Sequence, residues 1–236
     1  MSRILNTNAE YAEKLKTILG LRAEPVAVIL IGDGDEYPAG LSLPESPMSH
    51  CQAVFRARRG ECIKMPYEMQ VCHVGTSVLG MGETPAKIAS GEFHAGIGIH
   101  DSAESAKKMI DERMVIPYHT VGEAVCPLSK ADFVPDAVII ADIPERLYWI
   151  ASVMTAEKGG RAVFSTSPFQ CACEDITALP VVSGRPNVSL GCFGCRKRTD
   201  MAPDELACGI PYALIPDYVS RLEGYAAGTM SKAKRD

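Results

Sequence analysis

Two short apolar runs constrain this chain more than any other feature. "PVAVILIG" at residues 25–32 and "PDAVIIADI" at residues 135–143 are rich in β-branched residues, begin at proline and stop within strand length. Such runs suit strands buried on both sides, which need covering layers. Crossing a membrane takes ~18 consecutive apolar residues, and no run approaches that. A central sheet flanked by helices follows, in an α/β or α+β arrangement with short connections.

Helical patterns lie between the runs. Thr7-x-x-Glu10 reads as a capping box, Leu15, Ile18 and Leu19 follow at helical spacing, and Gly20 is the expected stop. "SHCQAVFRARRG" from Ser49 predicts a short helix ended by Gly60, and residues 84–90 read as helical. "DSAESAKKMIDERM" predicts an amphipathic helix begun by Asp101 or Ser102. "PERLYWIASVMTAEKGG" predicts another, with Pro144 at its first turn. "HAGIGIH" and "RAVFSTS" read as further strands, and "VCHVGTSVLGMG" as a glycine-rich turn carrying Cys72. The last stretch, from Asp204, reads as helical turns broken at Pro211 and Pro216, with Cys208 inside a helix and a frayed "SKAKRD" tail.

The chain of 236 residues is expected to form a single domain, with pseudo-repeated halves at 1–130 and 131–236. Each half opens with one apolar run. Each then places two cysteines at similar intervals: 21 residues from Cys51 to Cys72, and 19 from Cys173 to Cys192.

At this length a chain buries roughly 70–75% of its unfolded surface, so cysteines are not needed to hold a core together. A net charge of −5 argues against a general nucleic-acid or membrane surface. The polar start of the chain lacks the apolar stretch of a signal peptide, so a reduced, cytoplasmic setting is expected. Disulfides are rare there, and an odd count of nine cysteines could not pair completely.

Four of the nine fall in "CACEDITALPVVSGRPNVSLGCFGCRK": Cys171-x-Cys173, eighteen residues, then Cys192-x-x-Cys195. A Cys-x-x-Cys pair can reach one soft metal centre from a single turn, and Gly191 and Gly194 let backbone N–H groups face the sulfur. Four thiolates suit a four-iron cluster or zinc. The surplus cysteines elsewhere favour the cluster, which draws ligands from remote segments. Cys51 and Cys72 would complete the set if the two halves meet. Cys62, Cys126 and Cys208 fit ordinary buried thiols. A metal-free thiol enzyme with Cys72 or Cys192 as nucleophile, a metal-free small-molecule-binding protein and a zinc-stabilised interaction module remain the alternatives. His50 and His73 each adjoin a thiol and are expected to face solvent. Arg196 and Lys197, with Arg198, follow the last thiol. They and Arg185 are candidates to balance a cluster's charge or to bind an anionic substrate. No phosphate loop, dinucleotide fingerprint, serine elbow or zinc-protease motif is present.

"PVAVIL", "CQAVFRARRGE", "VCHVGTSVLGMG", "PDAVIIADIPE" and "CEDITALPVVSGRPNVSLGCFGCR" together resemble the family called domain of unknown function 169, cysteine-containing proteins of archaea and anaerobic bacteria. "NVSLGCFGCR" is the most specific block. The resemblance implies an anaerobic setting and supplies no substrate or catalytic residue. The expected function is therefore that of an iron–sulfur protein, acting either in electron transfer or as a cluster-dependent Lewis-acid enzyme on a small polar substrate. Its partners would be that substrate or a redox protein, with a homodimer among the arrangements left open.

Overall fold

A computed structural model describes residues 2–233. Its helices in chain order are α1 (Arg3–Leu19), α2 (His50–Ala57), α3 (His73–Val78), α4 (Ala86–Ala89), α5 (Glu92–Ala95), α6 (Ala103–Asp111) and α7 (Pro144–Thr155). They continue with α8 (Leu179–Ser183), α9 (Phe193–Arg198), α10 (Ile215–Gly228) and α11 (Met230–Ala233). The strands are β1 (Val26–Gly32), β2 (Ile63–Pro66), β3 (Thr120–Pro127), β4 (Ala137–Asp142), β5 (Asn187–Ser189) and β6 (Leu206–Pro211). They form one antiparallel sheet in the order β2-β3-β1-β4-β6-β5. Both apolar runs are its central strands. Among the described residues, no helix is long and apolar enough to cross a membrane.

Alternation along the strands sorts the core into two faces. Ala27, Ala124, Val138, Ile140, Cys208 and Ile210 point to one side, where α1, α7 and α10 cover them through Leu15, Ile150 and Leu222. Val28, Val125, Ile139 and Ala207 point to the other, against α2 and the segment Cys171–Ala178. The two edge strands, β2 and β5, are only four and three residues long, which limits the unpaired backbone each exposes.

The two groups of three strands share one order, β2-β3-β1 and β5-β6-β4, and meet where β1 pairs with β4. β3 and β6 each end in proline and a 3₁₀ turn. The first amide of each turn donates to the carbonyl just before that group's first strand: Leu128 N to Pro25 O at 2.8 Å, and Tyr212 N to Asp136 O at 3.0 Å.

Several local expectations need correction. Ser2 caps α1 by accepting from Leu5 N, so Thr7 lies inside the helix, where its hydroxyl donates to Arg3 O. Gly20 does close that helix in the left-handed region. "HAGIGIH" is no strand: residues 92–95 form α5 and a turn follows. "RAVFSTS" is an irregular segment whose Ser165 exchanges hydrogen bonds with the Asn187 side chain. Those glycines and hydroxyls favour turns and side-chain pairing over a ladder. Cys208 lies on β6, because the helix there starts only at Ile215, with Pro216 in its first turn, where a missing N–H costs nothing. β2, β3, β5 and β6 carry no isolated apolar run and were not foreseen. Of the tail expected to fray, Ser231–Ala233 belong to α11, and residues 234–236 lie outside the described residues.

Candidate functional site

The segment that opens with Cys171 forms the floor of the site. Cys171–Ala178 is a π-helix of eight residues, started by Gln170 at φ 70° and ψ 29°. The Gln170 carbonyl accepts from both Glu174 N (2.9 Å) and Asp175 N (3.1 Å), and the second bond sets the wider turn. π-turns are rare and gather at functional sites. Here a close backbone approach fits the wide helix to the sheet. A β-carbon on Gly209 of β6 would lie 2.0 Å from the Ile176 carbonyl oxygen, so only glycine admits the π-helix at this depth.

Around this floor, α2, α3 and α9 enclose a cavity of about 440 Å³. Five thiols line it: Cys51 near the start of α2, Cys72 at the cap of α3, Cys173 on the π-helix, and Cys192 and Cys195 at the start of α9. Cys171 is fully buried behind them, within hydrogen-bonding reach of Cys195. "VCHVGTSV" was expected as a turn; it folds as α3 and presents Cys72 much as α9 presents Cys192. Where α9 carries Cys195, α3 carries Gly75, which lies against Cys173 and Cys72.

The thiols differ in acidity. Cys192 and Cys195 have their Sγ atoms 3.4 Å apart. That thiol contact, aided by backbone N–H groups of Cys195, Cys171 and Gly194, pulls Cys192 below the ordinary range despite burial. Cys51 is lowered too, first by its contact with Cys195 and also by the Ser49 hydroxyl and the charge on His50. Cys195 is correspondingly raised as the proton-holding partner of its neighbours. Burial pushes Cys72 and Cys173 up. Of the two candidate nucleophiles, the environment therefore favours Cys192.

His50 does not face solvent: it is 1% exposed. Nδ1 donates to Glu123 Oε2 at 2.5 Å, and Nε2 faces the Ala172 carbonyl (3.2 Å) and Thr177 Oγ1 (3.1 Å). Gln70 Nε2 donates to the second Glu123 oxygen at 2.8 Å. Burial opposes a charge on His50, but the charge and hydrogen bond of Glu123 overcome it, and the pKa moves up. His50 thus ties α2 to both β3 and the π-helix beside Cys51. This pair was missed because Glu123 lies 73 residues away on an unpredicted strand. His73 is exposed, as expected.

Two more buried carboxyls sit on the π-helix. Asp175 is pushed well up by burial and by its hydrogen bond with Glu174, while Ser189 donates to it at 2.5 Å. Arg113, from the turn after α6, lies near Cys173 and Glu174 and donates to Thr84 Oγ1 at 2.6 Å.

The predicted cations divide. Lys197 and Arg198 line the cavity, with Lys197 Nζ 5.5 Å from the Phe193 ring centre. Arg196 turns away and ties α9 to the carbonyls of Leu190, Ala202 and Glu205. Arg185 is exposed and outside the cavity lining. Cys62, Cys126 and Cys208 also lie apart from the site and pack with the core on the opposite face of the sheet. Among the described residues, no group of three or more His, Cys, Asp or Glu side chains is arranged to hold a metal ion.

A mixed α/β protein with a six-stranded antiparallel sheet and a thiol-lined cavity on one face is the class these features define. The chain belongs to the family described as uncharacterised ArCR, domain of unknown function 169, whose profile matches residues 14–221. An uncharacterized protein of Methanocaldococcus jannaschii is 26% identical over 223 residues, covering 94% of this chain and 96% of that protein. No solved structure matches the chain.

Proposed function

We propose that the cavity holds an iron–sulfur cluster, ligated from among Cys51, Cys72, Cys173, Cys192 and Cys195, with Cys171 in reserve behind them. One observation carries this reading: thiols from both parts of the chain meet in a single cavity. The shared strand order supports treating those parts as pseudo-repeated halves, each contributing cysteines where its short helices begin. The donor set is soft and suits iron–sulfur chemistry, and a cluster spreads its ligands over more space than the single ion for which no group is arranged. Once bound, such a cluster supplies one-electron transfer or, at an iron left without a thiolate, Lewis-acid polarisation.

The chain's own residues prepare that role. The lowered pKa values of Cys192 and Cys51 make their thiolates accessible near neutral pH. The imidazolium of His50, together with Lys197 and Arg198, supplies positive charge against accumulated thiolate. Iron and sulfide should be found together in anaerobically purified protein, with visible absorption that Cys192→Ser diminishes. Colourless protein containing neither element would sink the reading, and zinc without sulfide would replace it with a zinc-stabilised module.

The close approach of Cys192 and Cys195 favours a second reading, a metal-free dithiol. The Cys192 thiolate would attack a substrate disulfide and expel one substrate thiolate. Cys195 would then displace the second, leaving a Cys192–Cys195 disulfide and a reduced substrate. Alkylation of Cys192 much faster than the other thiols at neutral pH, in protein free of iron, would support it. Uniformly slow labelling would count against it.

A further inference from the structure

Beyond its thiols, the cavity has an aromatic wall that metal ligation does not require. Phe93 meets His94 edge-on at 5.1 Å, His94 meets Phe169 at 4.5 Å, and Phe169 meets Phe193 at 6.3 Å. Phe93 and Phe193 are 50% and 43% exposed, so this wall reaches the mouth. Apart from the thiols, the charged side chains of the lining are basic: Lys87, Lys197 and Arg198 are present, and no aspartate or glutamate is.

Two polar groups in the wall are buried without a partner. His94 is 1% exposed and Gln170 is 4% exposed, yet His94 Nδ1 and Gln170 Nε2 have no hydrogen-bond partner. Buried polar atoms are normally paired, and each exception calls for a reason. Burial, with His100 and Arg113 nearby, lowers the His94 pKa to about 4, so its imidazole is neutral at pH 7. Gln170 presents a second anomaly. It is the one non-glycine residue at positive φ among the described residues. Starting the π-helix needs that backbone conformation, which glycine adopts most easily. Keeping a glutamine there, with its amide unpaired at the cavity, is explained by neither local conformation nor packing.

We propose that this arm of the cavity binds a small carboxylate with an apolar, ring-sized body. The carboxylate would accept from the Gln170 amide and draw on Lys87, Lys197 and Arg198, while the body lies among Phe93, Phe169 and Phe193. The site rests on the aromatic wall, independently of whether the thiols hold a cluster.

Calorimetric titration of anaerobically purified protein with phenylacetate, and with phenylacetamide as its neutral match, tests this. Phenylacetate is expected to bind at least about tenfold more tightly, with an affinity that falls as salt rises. Gln170→Gly should weaken phenylacetate at least about tenfold while leaving the melting temperature of the unliganded protein unchanged or higher, since glycine suits the left-handed backbone. Should that variant fold poorly, Lys87→Met with Lys197→Met, both at exposed positions, should abolish the preference for acid over amide. Equal binding of acid and amide, no binding of either at millimolar concentration, or full phenylacetate affinity in a folded Gln170→Gly would overturn the proposal. So would inorganic phosphate competing as well as phenylacetate. Iron and sulfide measured on the same samples separate the two readings. Binding by iron-free protein keeps this proposal and removes the cluster, and a cluster without binding does the reverse.

Discussion

The two faces of the sheet use cysteine in opposite ways. On the face covered by α1, α7 and α10, Cys126 and Cys208 behave as small apolar residues, and burial pushes each thiol up to about 12. On the other face, neighbouring thiols and backbone N–H groups pull Cys192 down, and a neighbouring thiol, the Ser49 hydroxyl and His50 pull Cys51 down. Cys192 is buried, as Cys126 and Cys208 are, so burial alone does not decide reactivity. The difference lies in what surrounds the sulfur. Around Cys126 and Cys208 the long helices present mostly apolar side chains, whereas short helix starts and a π-helix present unpaired backbone donors and cavity space. The helical face holds the larger core cluster, and the face of short elements holds the thiol-lined cavity.

Substitutions can break this comparison, and the largest effect belongs to the thiol face. His50→Ala leaves Glu123 buried with only Gln70 as partner, and should cost about 3–5 kcal/mol in denaturant unfolding while slowing Cys51 alkylation. Ile150→Ala, in the centre of the helical face, should cost about 3 kcal/mol through a cavity yet leave the relative labelling rates of Cys192 and Cys126 unchanged. A changed ratio would show that the faces are coupled. Gly209→Ala should cost about 2 kcal/mol by forcing the π-helix off β6, with the loss accompanied by exposure of Cys173 to alkylation.

The smallest effect is a pH dependence. Asp175 has its pKa raised in the folded chain, so its contribution is complete below the unfolded value of about 4 and declines as pH rises toward the folded pKa. Asp175→Asn should flatten the stability curve above that point, as followed by urea unfolding at several pH values. A curve as steep as that of the parent protein would show that Asp175 is ionised in the folded state.

Reading the sequence reached some of these elements and not others, for physical reasons. β1 and β4 were legible because a central strand buried on both sides is continuously apolar. α6 and α7 were legible from periodicity and from Ser102 and Pro144 at their starts. β5, with three residues, is too short to carry a period, and β3 mixes Gly122 and Glu123 into its apolar positions. Glu123 stands in a buried strand only because His50 and Gln70 pair with it, a contact no local pattern reveals. In the site, "LGCFGC" was readable from spacing, and Cys51 and Cys72 from their intervals. Gln170, His94 and the aromatic wall were not, because their meaning depends on backbone conformation and on neighbours far away in the chain.

By itself, then, the sequence determined a sheet protein with two apolar centres and nine cysteines, four of them clustered in one segment. Only the tertiary structure decided which thiols share a cavity and which lie across the sheet in the core. Cysteine is chemically the same at every position. Its acidity comes from the donors, charges and solvent placed around it, and folding assembles those from distant segments.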